Sequence, residues 1–156
     1  MIYFFEMAEE RREERIDENQ QFNKALSILN EAQIVTICSI DWKTGHPRAV
    51  PVVKAKNDGF KEIIFTTDKN SHKVSNFQKN PNLASLTIYD TDNTEVLYGH
   101  VEVYTSLEDL KAHWIDAMKS DFFKNGPESP NLCIIKFIPE SLSGFIDMKP
   151  IDQSLN

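Results

Sequence analysis

Residues 63–81 read IIFTTDKNSHKVSNFQKNP, which predicts a buried strand, a polar turn and a short helix in direct succession. The hydroxyl of Ser71 stands at the helix N-cap position, where such side chains are favoured. Backbone N–H groups at a helix N-terminus lack helical acceptors and carry partial positive charge, so they suit a phosphate. The side chains predicted to surround that phosphate are Thr66, Thr67, Ser71, His72 and Lys73.

A further cation lies on the strand predicted upstream. Residues 48–56 read RAVPVVKAK after a hairpin loop at 41–45, and strand alternation places Arg48 on the same face as Val50 and Val52. If this strand pairs with 63–67, the guanidinium of Arg48 can donate a bidentate fork to the same phosphate. The pattern alone leaves a plainer interpretation open, in which Ser71 only caps the helix and the cations are solvated.

Strand patterns dominate the middle of the chain, and helices are inserted among them rather than alternating with them. Three strands follow one another directly, which a parallel sheet does not allow because each of its crossovers needs a long connection. The predicted fold class is mainly β, an antiparallel β-barrel of six or seven strands with accessory helices. Strands are predicted at 34–40, 48–56, 62–67, 83–89, 95–104, 132–138 and 142–148, and helices at 17–30, 71–80 and from 106.

The length of 156 residues predicts a single folded domain. Residues 1–21 are expected to form a charged N-terminal arm or helix, residues 22–148 the barrel domain, and residues 149–156 a C-terminal tail. The charge run at 9–21 (EERREERIDENQQ) is typical of a solvated helix. An arm that reaches across to a partner subunit is the alternative.

Composition excludes several functional classes. A net charge of −7 argues against nucleic-acid binding, because a phosphate backbone would be repelled. No stretch approaches the ~18 apolar residues of a membrane helix, and two cysteines without a CxxC spacing fit a reducing cytoplasm. The four histidines are not spaced as zinc ligands, and no nucleophile motif is present, so neither a metal site nor a catalytic side chain is predicted.

The order of these motifs resembles the FMN-binding split β-barrels of the pyridoxamine 5′-phosphate oxidase-like superfamily. The resemblance covers about residues 22–147 and is strongest to the general stress protein 26-like branch. It is carried by RAVPV at 48–52, FTT at 65–67, SHK at 71–73, the Asn80-Pro81 stop, Trp114, Phe122-Phe123, Gly126-Pro127 and Ser129-Pro130.

This resemblance implies a homodimer with FMN in clefts between the subunits. The phosphate would be held by Arg48, Ser71 and Lys73, and Thr66 and Thr67 would contact both the phosphate and the ribityl chain. The isoalloxazine ring would lie along the backbone of Ala49, Val50, Pro51 and Val52, with Thr94 approaching from the other subunit. His72 stands where the oxidases often have Arg, so Arg48 and Lys73 must supply most of the charge.

The implied activity is an oxidoreductase that passes hydride or electrons between NAD(P)H and a small acceptor. The C-terminal Arg-His segment of true pyridoxamine phosphate oxidases is missing, and FIDM at 145–148 stands in its place, so that activity is not expected. Three alternatives stay open: a non-catalytic flavin-binding module, the same barrel with deazaflavin or haem, and an oligonucleotide-binding barrel. His46 and His100 are the candidate axial ligands for haem.

Overall fold

A closed antiparallel barrel forms the centre of the computed structural model, which describes residues 2–156 apart from the side chains of 13–16. The strands are β1 (Ile34–Ile40), β2 (Pro47–Asp58), β3 (Glu62–Asp68), β4 (Ala84–Tyr89), β5 (Thr94–Tyr104), β6 (Leu132–Ile146) and β7 (Lys149–Ser154). They are ordered β3-β2-β1-β4-β5-β6-β7, and pairing of β3 with β6 closes six of them into a barrel. The mainly β fold class predicted from the sequence is confirmed.

Three helices accompany the barrel: α1 (Ile2–Glu31), α2 (His72–Lys79) and α3 (Leu107–His113). Short 3₁₀ turns at Asp116–Met118 and Gly126–Glu128 follow α3. The antiparallel register fixes which helix meets which end of the barrel. Helix α1 covers the end where β1 begins and β6 ends, whereas α2 covers the end where β1 ends and β6 begins.

Alternation along the strands fills the barrel with apolar side chains. Val35 and Ile37 of β1 point inward and are buried, while the residues between them face outward. Helix α1 adds Ala25 and Leu29 to this core, and α2 adds Val74 and Phe77. The largest fully buried interior side chains include Phe65, Phe137, Leu86, Leu97 and Leu142.

Two glycines allow β5 and β6 to approach closely. A Cβ on Gly99 would lie 2.1 Å from the carbonyl oxygen of Ile138, and a Cβ on Gly144 would lie 2.1 Å from that of Thr94. Neither distance is compatible with a side chain. The β5–β6 ladder therefore depends on glycine at both positions. Gly99 is on β5 opposite Pro139, and Gly144 is on β6 opposite Glu95.

The sequence-based boundaries differ from the structure at the two ends of the chain. Helix α1 begins at Ile2 and runs without a break through both the expected arm and the expected helix at 17–30. The expected last strand at 142–148 is the second half of β6, and the residues expected as a C-terminal tail pair with it as β7. Strand β7 escapes pattern analysis because Ile151 is its only buried residue. Among the described residues, no helix is long and apolar enough to span a membrane.

Candidate functional site

A cavity of about 640 Å³ lies between the outer face of β2 and β3 and the chain that follows α3. Its volume is within the usual range for small-molecule sites. Polar groups gather where β3 ends, and apolar groups line the remainder. The lining residues are Pro51, Val52, Val53, Lys54, Ala55, Thr66, Thr67, Asp68, Lys73, Ala117, Met118, Ser120, Phe122, Phe123 and Asn131.

Lys73 supplies the positive charge of this cavity. Its Nζ atom donates a hydrogen bond of 2.9 Å to Oγ1 of Thr67, the last inward-facing residue of β3. The side chain is partly buried, and this burial lowers the pKa of Lys73. No carboxylate in the described part of the chain lies within ion-pair distance of Nζ. A partly dehydrated ammonium is therefore held next to a neutral hydroxyl and lacks an anionic partner.

Ser71 occupies the N-cap position of α2, but its side chain does not cap the helix. Its Oγ atom is buried and has no hydrogen-bond partner among the described residues. Ser106, at the N-cap of α3, behaves as expected and accepts a hydrogen bond from the amide of Asp109 at 3.2 Å. Buried hydroxyls in native proteins normally have a partner. The amide of Val74 donates to the carbonyl oxygen of Ser71 at 3.2 Å. The hydroxyl of Ser71 and the amides of His72 and Lys73 have no acceptor among the described residues and form an unused set of donors.

The turn before α2 is held by its own hydrogen bonds, so this set of donors is preorganised. Asp68 accepts from the amide of Asn70 through Oδ1 at 2.8 Å and from the amide of Ser71 through its carbonyl oxygen at 3.0 Å. The amide of Lys69 donates to the carbonyl oxygen of Asn131 at 2.8 Å, which extends the β3–β6 pairing into the turn. The position of Ser71 relative to the cavity therefore follows from the closure of the barrel.

The structure brings together some of the residues selected from the sequence and separates others. Thr66, Thr67, Lys73, Pro51 and Val52 line one cavity, and Ser71 and His72 follow directly in the same turn and helix. The other predicted ligands do not line it: Arg48, Ala49, Val50 and Thr94.

Arg48 lies at the same barrel end as α2 but is engaged elsewhere. It is opposite Ser39 on β1, whose hydroxyl accepts a hydrogen bond from Asn76 of α2 at 3.0 Å. Its guanidinium lies 3.7 Å from the carboxylate of Asp41 and is partly exposed. Thr94, at the start of β5, belongs to the α1 end. Within one chain, Thr94 is therefore at the opposite end of the barrel from Lys73.

Sequence reasoning missed the wall of the cavity contributed by residues 117–123. Phe122 is 81% exposed although it borders the cavity, and Met118 and Phe123 are buried beside it. The sequence signal for this wall is the adjacent aromatic pair Phe122-Phe123 in a polar stretch. On its own, this pair indicates a resemblance to the family and not a cavity wall. Asn131 and Ser120 carried no signal of their own.

Comparison with known proteins places this arrangement in a family. Residues 22–144 match the family model described as pyridoxamine 5′-phosphate oxidase. The chain belongs to this family. It is 25% identical over 123 residues to general stress protein 26 of Bacillus subtilis strain 168, covering 76% of this chain and 84% of that protein.

Several solved structures share the fold. A protein from Clostridium acetobutylicum related to general stress protein 26 superimposes with a TM-score of 0.75 at 19% identity, covering 87% of this chain and 95% of that one. A haem-binding protein from Mycobacterium smegmatis (TM-score 0.66, 15% identity, 86% and 57% covered) and an F420 reductase (0.57, 19%, 75% and 94%) share it too. Proteins with this fold therefore include a haem-binding protein and an F420 reductase.

Cys133 is a buried core residue that lies opposite Thr67 on the neighbouring strand, and it yields a prediction about reactivity. Burial raises the pKa of Cys133 to about 12, and only the neighbouring charge of Lys73 opposes this shift. Because the thiolate is the reactive form, the Cys38→Ser variant should not react with iodoacetamide at pH 9 until it is unfolded. Mass spectrometry of the alkylated protein measures this, with Cys133→Ser as the matched control that reports Cys38. Rapid alkylation of native Cys38→Ser would contradict the buried, protonated state of Cys133.

Proposed function

We propose that this protein is a flavoprotein that binds FMN non-covalently and passes hydride or electrons between NAD(P)H and a small acceptor. The observation that carries the proposal is the unsatisfied donor set at the start of α2. Ser71 has a buried hydroxyl without a partner, and Lys73 has a dehydrated ammonium without an anion. A phosphomonoester supplies acceptors for both and is favoured by the helix dipole.

The remainder of the cavity suits the rest of such a cofactor. Thr66 and Thr67 would donate to the phosphate and ribityl chain, and the apolar strand segment Pro51–Val53 would line the ring. Pro51 has no amide hydrogen, so at this point β2 has one fewer ladder donor. Bound FMN supplies the hydride and electron chemistry. The side chains of the chain bind and orient the cofactor and exclude water, and none is assigned as an acid or base.

The proposal includes a homodimer. The outer face of β2, β1, β4 and β5 is unusually apolar for a solvent-exposed sheet, with Ile34 63% and Tyr89 71% exposed. Small or hydroxyl-bearing residues such as Thr36 and Thr87 lie between them and would allow close packing. The same face continues into the cavity at Pro51 and Val53. A second copy on this face would cover the open side of the cavity, and its Thr94 would be the residue that reaches the ring.

A deazaflavin is the second candidate, and one cluster favours it. Trp42 lies between the ammonium groups of Lys43 and Lys79, at 5.2 and 5.3 Å from its ring centre, at the α2 end of the barrel. With Arg48 they add positive charge at the barrel end where the proposed phosphate site also lies, and this charge would suit a longer acidic tail. Haem is less well supported, because neither candidate axial histidine lines the cavity. His100 instead contacts Glu140 at 2.7 Å.

The decisive test is the absorbance spectrum of the purified protein, followed by anaerobic addition of NADPH or NADH. We expect the visible bands of oxidised FMN at one equivalent per chain and their bleaching by the reductant. FMN that is bound but not reduced would support the non-catalytic module. A deazaflavin spectrum would show that the protein binds a deazaflavin instead of FMN, and a Soret band would show that it binds haem. A protein purified from cytoplasmic extract that binds none of these on reconstitution would contradict the proposal.

The phosphate site has its own prediction. Combined replacement of Arg48 and Lys73 by alanine should lower FMN affinity by about 10-fold or more, chiefly through Lys73, because a charge-assisted hydrogen bond contributes about 1.5–3 kcal/mol and Arg48 lies outside the cavity. Equilibrium fluorescence titration with FMN measures the loss. The exposed Lys69, in the turn before α2, provides the control variant Lys69→Ala. If the double variant binds as tightly as this control, the phosphate site is wrongly assigned.

The dimer is tested at the centre of the proposed interface. Thr36→Arg introduces a charge at the position that pairs with both Pro51 and Thr87. We expect the variant to sediment as a monomer and to lose FMN affinity, since the partner would no longer cover the cavity. Thr105→Arg makes the same change in an exposed loop and should leave the sedimentation coefficient unaltered. A wild-type protein that is monomeric at micromolar concentration would contradict the proposed dimer.

A further inference from the structure

Glu95 is a carboxylic acid sealed inside the α1 end of the barrel. The residue is 0% exposed, and neither carboxyl oxygen has a hydrogen-bond partner in the described part of the chain. The backbone register places it opposite Ile88 of β4 and Gly144 of β6. An unpaired buried carboxylate is strongly unfavourable, so such a group normally remains protonated. Burial, with a smaller effect from Asp90, raises the pKa of Glu95 to about 8.

Helix α1 closes this end of the barrel with its buried residues Ala25 and Leu29 and with a set of polar contacts. The Nε2 atom of Gln21 donates to the carbonyl oxygens of Ile146 and Lys149 at 3.0 and 3.2 Å. Lys24 of the helix forms an ion pair with Asp147, and Asp17 of the helix forms one with Lys149. These ion pairs are exposed and contribute little to stability. The helix is not part of the hydrogen-bonded sheet, so it can leave this end of the barrel without breaking a strand pair.

The charged groups around Glu95 provide no counter-ion for it. On α1 these groups are Asp17 and Lys24, on the β4–β5 turn Asp90 and Asp92, and on the β6–β7 turn Asp147 and Lys149. The two lysines in this group are already paired, Lys24 with Asp147 and Lys149 with Asp17. Asp90 adds negative charge, and it accepts from the amides of Asp92 and Asn93 at 2.9 and 2.8 Å. An ionised Glu95 would therefore gain solvation only by reaching water.

We propose that Glu95 acts as a proton-dependent latch for helix α1: protonation of the carboxyl holds the helix on the barrel end, and ionisation makes transient opening of the helix more frequent. Opening this end is the least disruptive way to hydrate the carboxylate, because every other side of Glu95 is a continuous hydrogen-bonded strand. The latch is a property of the barrel end opposite the proposed flavin site. Its test is therefore independent of whether FMN is bound.

The sign of the effect follows from linkage. The folded-state pKa lies above the ordinary value of 4.5, so the docked state binds the proton more tightly than the open one. The stability of the docked helix therefore falls as pH rises from about 4.5 to 8. Below the folded pKa, opening of the helix itself releases the proton. A released carboxyl has its ordinary pKa, so the opening constant grows about tenfold per pH unit within this interval. Above pH 8 both states are ionised, and the opening constant becomes constant.

Hydrogen exchange of the full chain, read by mass spectrometry between pH 5 and 9 and corrected for intrinsic rates, tests this latch. Peptides from residues 17–31 of the wild type should lose about 100-fold of their protection from pH 5.5 to 7.5 and then level off above pH 8. In Glu95→Gln their protection should not change with pH. Glu108→Gln, which removes an exposed carboxyl on α3, should behave as the wild type.

A second measurement does not depend on the folding of a variant. Carbon-13 NMR of the wild type, with the Glu95 carboxyl resonance assigned through Glu95→Gln or, if that variant does not fold, Glu95→Met, should give a midpoint near 8. A midpoint below 6 would overturn the proposal, and so would pH-independent protection of residues 17–31 in the wild type. Loss of protection in β1 and β4 together with α1 would also overturn it, because the opening would then be global.

Discussion

Pairing of β3 with β6 is the interaction on which the remaining structure depends. It closes the sheet, so that Phe65 and Phe137 become interior residues with no access to water. It also places Thr67 opposite Cys133 and continues through the hydrogen bond from the amide of Lys69 to Asn131. The chain therefore enters α2 at a fixed point on the barrel rim. Without this closure, β3 would be an exposed edge, and neither Thr67 nor Lys73 would be held against the cavity.

Ser71 and Glu95 both keep buried polar atoms without partners after the barrel closes, and their surroundings imply different roles. Ser71 lies at a helix N-terminus beside an uncompensated ammonium, where its hydroxyl can donate to an anion that enters from solvent. Glu95 lies among interior strand residues, where its carboxyl can only exchange a proton. Both groups oppose folding of the empty chain, since buried polar atoms without partners are costly. A ligand removes this cost at one end of the barrel, and protonation reduces it at the other.

Local sequence patterns predicted most of the strands, because inward-facing apolar residues alternate clearly along β1 and β5. They also placed Ser71 correctly at an N-cap, but they left open whether its hydroxyl bonds the helix, and in the structure it does not. Whether a cap bond forms depends on rotamer and neighbours, which are tertiary properties. The role of Glu95 was hidden for a similar reason: a Glu at the start of a strand is typical of a solvated edge, and only closure buries it.

The cavity wall at 117–123 was beyond prediction because it lacks regular structure, so no periodicity marks which side chains face β2. Arg48 shows the opposite failure. Strand alternation correctly predicted which face of β2 Arg48 occupies. It did not predict that the carboxylate of Asp41, in the loop of the same hairpin, lies 3.7 Å from the guanidinium of Arg48. An incoming phosphate must compete with Asp41 for Arg48, whereas Lys73 has no such competitor among the described residues.

The distribution of charge joins the two ends of the barrel into one electrostatic arrangement. The chain carries a net charge of −7, yet Lys43, Lys79, Arg48 and Lys73 gather at the α2 end. The opposite end holds four aspartates, and the lysines near them in the described part of the chain are Lys24 and Lys149. The aspartates are Asp17, Asp90, Asp92 and Asp147. An anion approaching this molecule is repelled by one end and attracted by the other. The same acidic surroundings that direct an anion to α2 also make ionisation of Glu95 less favourable, so both effects arise from one separation of charge.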